Sequence, residues 1–319
     1  MQDTSAAESP AVAGTSGGPR RHRRSRPRRL GHALAPLAWV GPAVALIIFV
    51  VVWPVVVMVQ TSLQKVSSYG EVQGWAGLGN FHRLFGETSF VPIVVRTAIW
   101  VVVVVGLTML ISLALAQLFH QRYPGHRITR LGLIAPWAAS VLMTAIVFRW
   151  MLQPGYGLIN IVLHWLGLVQ DVSRAAPLGH GSTAFPWLIF VAVFVSLPFS
   201  TYTILSGLTT IPTDVYEAAR VDGVGPWRTY LAITLPLLRP ALTVATLINL
   251  TNVFNSFPII WAMTGGGPGY DTATTTIFMY VLKGANIGES GAMSVVNFAL
   301  VAVIAAVFLK VSGWKAQVE

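Results

Sequence analysis

Three asparagines, Asn249, Asn252 and Asn255, follow one another at intervals of three residues in a long apolar segment, interleaved with Phe254 and Phe257. Each step of three residues turns a helix by about 300°, so the three amides sweep one side of it. An amide in hydrocarbon needs a partner, which a water-filled cavity supplies. Amides bind hydroxyl groups and aromatic faces stack on sugar rings, so these five residues are candidates for lining a solute pathway. The alternative is that the amides only hold neighbouring helices together.

The sequence offers little for covalent, metal or nucleotide chemistry. It has no cysteine, and its seven histidines lack the short repeats that place two ligands on one helix face. The glycine-rich residues 265–269 lack the Lys-Ser or Lys-Thr of a phosphate-binding loop. None of the eleven acids lies deep in an apolar segment, which argues against a proton-driven carrier. We therefore predict a chain that is not an enzyme and binds no metal or cofactor. Weaker candidates for lining the solute pathway are Trp261, Met263 and Asn297.

The composition is that of a protein in lipid. Soluble domains contain about a quarter charged residues, whereas 10% of these residues are charged, 54% are hydrophobic and the mean hydropathy is +0.66. A helix needs about 20 apolar residues to cross a hydrocarbon core of about 30 Å. Six segments qualify, which predicts an all-α polytopic membrane protein with six transmembrane helices. They are residues 37–59, 91–118, 131–152, 185–208, 237–263 and 292–311.

The basic residues predict the topology. Seven of the 21 Lys and Arg residues lie between Arg20 and Arg29. We expect residues 1–30 to be a disordered, basic cytoplasmic tail and residues 31–319 to be the transmembrane domain. With the N-terminus inside, fifteen Lys and Arg residues lie in cytoplasmic segments and four in outer loops. Both termini are therefore predicted to be cytoplasmic. Anionic lipid and topology account for the net charge of +10, so nucleic-acid binding is not predicted.

Residues 210–240 form the most informative polar segment, TIPTDVYEAARVDGVGPWRTYLAITLPLLRP. Pro212 and Asp214 are typical of a helix start, and Gly223 breaks the helix. A second short helix follows, with Trp227 and Tyr230 on one face. Such a helix-glycine-helix segment is suited to fit a groove on a partner and to pass its movement to the next span.

This segment resembles the EAA loop of permease subunits in binding-protein-dependent ABC importers. Glu217-Ala218-Ala219 is followed by Gly223 and then by Ile233-Thr234-Leu235-Pro236, which matches EAA, three residues, G, nine residues and I-x-LP. So many residue types at fixed offsets rarely coincide. Together with the weaker motifs described next, the resemblance covers nearly all of residues 35–312 and implies a type I ABC importer permease fold.

In that family the loop inserts into a cleft of an ATP-binding subunit. The resemblance implies that Glu217 is the docking acid, that Ala218 and Ala219 allow close approach, and that Gly223 is the bend. The coupling residues assigned in this way are Glu217, Ala218, Ala219, Asp222, Gly223 and Pro236. The alternative is an ordinary interfacial loop in which Glu217 merely caps a helix.

Further segments resemble the carbohydrate branch of the family, specifically the first permease of maltose-type transporters. They are Gly77-Leu78-Gly79-Asn80-Phe81 with Leu84-Phe85, residues 155–160 (GYGLIN), and Thr264-Gly265-Gly266-Gly267-Pro268 with residues 274–280. In the maltose permease, asparagines three apart in the same span touch sugar, and Asn252 with Asn255 reproduce that spacing.

The resemblance implies a permease subunit that forms half of a pathway for a di- or oligosaccharide such as trehalose or maltose. It implies a second related permease, two copies of an ATP-binding subunit that carry ATP and Mg²⁺, and an extracytoplasmic sugar-binding protein. The location implied is the bacterial plasma (inner) membrane. A permease for a non-sugar solute such as glycerol 3-phosphate or polyamine is the main alternative, and a secondary carrier is a weaker one.

Overall fold

The computed structural model describes residues 40–121, 123–172 and 175–312, and the predicted tail, residues 1–30, lies outside them. The helices are α1 (Val40–Ser62), α2 (Gly79–Gly86), α3 (Phe90–His120), α4 (His126–Ala138), α5 (Val141–Met151), α6 (Leu158–Trp165), α7 (Gly181–Thr209), α8 (Thr213–Val221), α9 (Pro226–Thr229), α10 (Leu235–Leu237), α11 (Arg239–Phe254), α12 (Phe257–Thr264), α13 (Thr275–Ala285) and α14 (Ile287–Val311). The strands are β1 (Gln64–Val66) and β2 (Val72–Trp75).

The chain divides into two units, Met1–Trp53 and Pro54–Glu319. The described part of the first unit, residues 40–53, is helical throughout and apolar, as predicted for a membrane span. The second unit contains all the candidate site residues.

Five helical stretches of the described residues are long and apolar enough to cross a membrane: α1, α3, α7, α11 with α12, and α14. They confirm a helical polytopic fold and correspond to five of the six predicted spans. The remaining one, residues 131–152, is split into α4 and α5 at Ala139 and Ser140, whose backbones are extended. The 11 residues of α5 reach only about 16 Å, so only the pair is long enough for a crossing. Hydropathy did not show this break because it averages over neighbouring residues, and those on both sides of Ala139 and Ser140 are mostly apolar.

The core of the second unit lies where α3, α7 and α11 meet. Trp100 of α3 is fully buried, donates its indole N–H to the carbonyl oxygen of Val253 at 3.0 Å, and lies 5.7 Å from Phe185 between ring centroids. Helices α7 and α11 approach closely at Gly207, where a Cβ atom would lie 2.5 Å from the Cβ of Ala241. Small residues allow two helices to pack closely. In lipid, helix association depends on such packing because there is no hydrophobic driving force between helices.

A short antiparallel hairpin departs from the all-helical prediction. Gln64 of β1 lies opposite Trp75 of β2, and α2 follows directly. Strands of three and four residues are too short for an alternating pattern to reveal them. Asn80 of α2 is fully buried and donates to the carbonyl oxygens of Ser62 and Gln64, both at 2.8 Å. The Gly77–Phe81 motif therefore has a structural role, since its residue Asn80 holds α2 against the hairpin.

The long helices of the second unit run between two ends. The elbow end contains His120 at the end of α3, Thr209 at the end of α7, and residues 213–237, which we call the elbow. The far end contains the first turns of α3 and the start of α7. There Arg96 of α3 donates to the carbonyl oxygen of Tyr270 at 2.8 Å, so the loop that follows α12 lies at the far end too.

Candidate functional site

The elbow consists of two short helical segments joined at a glycine. Helix α8 begins after Pro212 and carries Asp214 in its first turn and Arg220 in its last, each at the end of the helix dipole that favours its charge. Helix α9 begins with Pro226. Proline is favourable at the first position of a helix, because an N–H group there would have no partner within the helix. A π-helical turn, Tyr230–Thr234, continues α9 into α10. This is the helix-glycine-helix arrangement that the sequence predicts.

Gly223 ends α8 in a left-handed conformation, with φ at 72°. Its N–H donates to the carbonyl oxygen of Arg220 at 3.0 Å, and the N–H of Val224 donates to that of Ala219 at 2.9 Å. These two bonds form the Schellman motif of helix C-termini. A Cβ atom at Gly223 would meet nothing within 4 Å. Glycine is therefore favoured here by backbone conformation rather than by space.

The predicted coupling residues differ in their exposure. Glu217, Ala218, Asp222 and Gly223 are exposed, and Pro236 is half-buried. Ala219, by contrast, is 4% exposed, so its small side chain serves packing within the chain. The Glu217 carboxylate has no hydrogen bond or ion pair with another described residue and is free to meet a partner.

The tip of the elbow presents large apolar side chains. Val221 is 88% exposed and Trp227 is 72% exposed. The Trp227 ring stacks on Tyr230, with centroids 6.3 Å apart and planes 27° apart. Burial raises the pKa of the Tyr230 phenol, which favours its protonated form, a hydrogen-bond donor. An apolar surface of this kind, beside a free carboxylate and outside the apolar spans, fits contact with another protein.

A pocket of about 560 Å³ separates the elbow from the end of α3. Tyr216 and Glu217 of α8 line one wall, and Gln117 and His120 of α3 line another. Sequence reasoning did not place the end of α3 beside the elbow, since residues this far apart in sequence meet only in the tertiary fold. The pocket leaves α8 room to move relative to α3.

The segment that carries the three asparagines is not one helix, contrary to prediction. Helix α11 ends at Phe254, and Asn255 (φ −91°, ψ 19°) and Ser256 (φ −74°, ψ 43°) leave helical geometry before α12 begins. Pro258 in the first turn of α12 lacks the N–H that would bond back into α11, which accounts for the break. Pro258 was the sequence signal that the predicted span 237–263 overlooked.

Packing separates the five candidate pathway residues. Asn249 and Phe254 are each 2% exposed and lie inside the chain, and the amide nitrogen of Asn249 has no partner among the described residues. Asn252 and Asn255 are exposed, and Phe257 is half-buried. The Asn255 amide donates to a carbonyl oxygen one turn earlier at 2.9 Å. The structure thus leaves Asn252, Asn255 and Phe257 accessible at the helix break.

Three aromatic rings meet beside this break, and we call them the aromatic cluster. Phe257 and Trp261 stack with centroids 5.6 Å apart and planes 16° apart. Tyr280 of α13 lies 5.2 Å from Phe257 and 4.8 Å from Trp261. Trp261 is 38% exposed and Tyr280 48%, whereas the other weak candidates, Met263 and Asn297, are buried. No pattern in the sequence indicated that Tyr280 contacts the two α12 residues.

The glycine-rich loop after α12 is clamped to α3 and α7. Gly267 has φ at 74°, and a Cβ atom there would overlap the Asp271 carboxylate. Asp271 accepts a hydrogen bond from the N–H of Gly181 at 2.6 Å, at the start of α7, where the helix dipole favours an anion. Arg96 reaches the same loop through the carbonyl oxygen of Tyr270. The glycines therefore allow a tight structural turn rather than a nucleotide site.

The model of one protein family, described as binding-protein-dependent transport system inner membrane component, matches residues 11–313. The chain belongs to this family. The permease is 36% identical to a probable ABC transporter permease protein of Brucella suis biovar 1, over 87% of this chain and 96% of that protein. It is 32% identical to the trehalose/maltose transport system permease protein MalF of Thermococcus litoralis, over 86% of this chain and 92% of that protein.

A solved structure shares the fold of the permease. A chain in the crystal structure of a bacterial alginate ABC transporter, in complex with alginate pentasaccharide-bound periplasmic protein, superposes with a TM-score of 0.73 at 21% identity. The match covers 89% of this chain and 96% of that chain. The predicted importer-permease fold is thereby confirmed. Family membership makes the chain a multi-pass membrane component of a transport system and not a catalytic subunit, as predicted.

Proposed function

We propose that the permease forms half of an import pathway for a carbohydrate and that its elbow docks on a separate ATP-binding subunit. The observation that carries the proposal is the elbow itself. It combines a glycine-terminated helix, a free carboxylate at Glu217, and exposed Val221 and Trp227. The similarity to a permease named for trehalose and maltose supports a carbohydrate as the solute.

The chain runs directly from the elbow to the helix break. The π turn after α9 leads into α10, and α11 follows after Leu238. Helix α11, with 16 residues, is about 24 Å long and ends next to Asn255. A displacement of the elbow by its partner would therefore be passed along one continuous path to the candidate solute contacts.

The exposed residues at the break have the chemistry that a sugar requires. The amides of Asn252 and Asn255 can donate to and accept from hydroxyl groups. Phe257 offers an aromatic face within the aromatic cluster. Asn249 and Phe254 are left out of this proposal because they are buried within the chain.

The proposed assembly contains a second related permease, two ATP-binding subunits that hold ATP and Mg²⁺, and an extracytoplasmic solute-binding protein. In this assembly the elbow end faces the cytoplasm of a bacterial cell, and both termini lie on that side of the inner membrane. The excess of Lys and Arg in the segments assigned to the cytoplasm supports this orientation.

Coupling is tested by charge reversal in the purified complex. Glu217→Lys should abolish solute-stimulated ATP hydrolysis and transport, because a cation replaces the docking carboxylate. Glu87→Lys reverses an exposed acid that lies just before α3, at the far end, and should behave as wild type. Equal stimulation in the Glu217→Lys and wild-type complexes would reject the docking role, and the absence of stimulation by any carbohydrate would reject the solute class.

The orientation is tested separately, since the chain has no cysteine of its own. Tyr69, at the tip of the hairpin, is 92% exposed, and Asp222 is exposed in the elbow. In intact cells a membrane-impermeant maleimide should label Tyr69→Cys and not Asp222→Cys. The opposite pattern would place the elbow outside and overturn the proposal.

A further inference from the structure

A second pocket, of about 530 Å³, lies at the far end between the end of α5 and the end of α12. Its lining includes Arg149, Gln153 and Trp261, and among the described residues that line it none is acidic. Trp261 also belongs to the aromatic cluster and stacks on Phe257, so the pocket adjoins one of the accessible residues of the helix break. The pocket thus combines a cation, an amide and an aromatic wall next to the proposed solute pathway.

Most N–H donors of the Arg149 guanidinium are not used by other described residues. It donates through Nη1 to the carbonyl oxygen of Ala262 at 3.1 Å, which fixes its position against α12. A guanidinium has five N–H donors, and no other hydrogen bond or ion pair joins Arg149 to a described residue. The contact with Ala262 is to a neutral carbonyl, so no described residue compensates the positive charge of Arg149 through an ion pair.

Arg96 is the other basic residue that lies within a predicted span at the far end. Its guanidinium contacts the glycine-rich loop. It donates to the carbonyl oxygens of Tyr270 at 2.8 Å and Ala273 at 3.2 Å. The attraction of Asp271 also acts on it. Arg96 therefore holds the glycine-rich loop, whereas Arg149 remains available to a ligand.

We propose that this pocket binds the anionic group of the transported solute, so that the permease imports an acidic carbohydrate. The inference rests on the proposed function and narrows its substrate class. A guanidinium accepts a carboxylate, sulfonate or phosphate through two parallel hydrogen bonds. Gln153 adds an amide donor, and the Trp261 face stacks on the sugar ring. The same anionic chemistry is found on lipid headgroups, which the experiment must separate from a solute.

The test uses the complete complex with its binding protein in phosphatidylcholine nanodiscs. The probes are mono- and disaccharides that differ only at position 6 of one sugar, where carbon 6 is a hydroxymethyl carbon, a carboxylate carbon, a phosphorylated hydroxymethyl carbon or a sulfonated methylene carbon. Acidic members should stimulate ATP hydrolysis. Arg149→Gln should raise the half-stimulating concentration of the acidic probe by about tenfold or more, while Arg149→Lys, which keeps the charge, should raise it less. Lys283→Gln removes an exposed cation from the end of α13, outside the pocket, and should cause no change.

Each outcome decides the inference. Stimulation by neutral members alone, or an unchanged half-stimulating concentration in Arg149→Gln, overturns it and leaves carbohydrate import standing. Stimulation by no carbohydrate overturns the proposed function as well. The assay is repeated in nanodiscs that contain phosphatidylglycerol. An Arg149→Gln effect that appears only with this lipid, and equally for every solute, identifies a headgroup as the ligand and overturns the inference.

Discussion

The backbone N–H of Val224 donates to the carbonyl oxygen of Ala219 at 2.9 Å, and this bond closes α8 across Gly223. The contact sets the direction in which the chain leaves α8 and therefore the angle between the two parts of the elbow. Because Ala219 is itself buried, the bond also connects the exposed tip to the interior of the chain.

Replacement of Gly223 should weaken coupling through backbone strain alone. An alanine in the left-handed conformation costs about 1–2 kcal/mol, and no atom lies within 4 Å to add a steric cost. Gly223→Ala should therefore reduce solute-stimulated ATP hydrolysis, and Gly223→Asn should reduce it less, since asparagine tolerates this conformation better. Gly225→Ala is the control, because Gly225 has φ at −64° and also has open space. Equal loss in Gly225→Ala and Gly223→Ala would contradict the role of the bend.

Replacement by leucine should have different effects at the exposed Asn252 and at the buried Asn249 of α11. Asn252→Leu should raise the solute concentration for half-maximal stimulation, because an exposed amide is lost. Asn249→Leu should leave that concentration unchanged and maintain or raise the thermal midpoint, since an unpartnered buried amide is replaced by an apolar side chain of similar shape. A solute effect at Asn249 instead of Asn252 would show that the accessible face has been wrongly assigned.

Asn80 should be among the most sensitive positions for stability. Asn80→Ala leaves the carbonyl oxygens of Ser62 and Gln64 without their side-chain donor, at a cost of about 1–3 kcal/mol. Asn80→Asp should cost more, because a carboxylate would face two carbonyl oxygens. Thermal unfolding of the purified permease measures both. His82→Ala, at an exposed position of the same helix, should leave the midpoint unchanged; a shift as large as that of Asn80→Ala would mean that α2 is sensitive at any position.

The contact between α7 and α11 can be tested by exchanging its small residues. Gly207→Ala places a Cβ atom 2.5 Å from that of Ala241, and overpacking of this kind costs about 1–3 kcal/mol. Adding Ala241→Gly should restore much of the lost thermal stability. Gly106→Ala in α3 meets nothing within 4 Å and should not lower it. Failure of the second substitution to compensate would indicate that the two helices are not in contact there.

Much of this architecture follows from local properties that a sequence displays directly. A run of apolar residues specifies a membrane helix, because lipid leaves its backbone groups no partner outside the helix. Glycine and proline specify helix ends through their own backbone conformations, so Pro212, Gly223 and Pro226 were sufficient to predict the elbow. The family motif could be recognised because its residues stand at fixed offsets within one short loop.

Other features were decided only by the tertiary structure, because they depend on which distant surfaces meet. Asn249 and Asn252 are chemically identical and one turn apart, yet only the packing of α3, α7 and α11 makes one buried and the other exposed. Tyr280 contacts Trp261 because α13 lies against α12. Arg96 and Arg149 differ because the fold places Arg96 against two carbonyl oxygens of the glycine-rich loop and Arg149 against the carbonyl oxygen of Ala262. Hydropathy is averaged over residues that are adjacent in the sequence. Burial and charge compensation depend instead on the residues that the fold brings together in space.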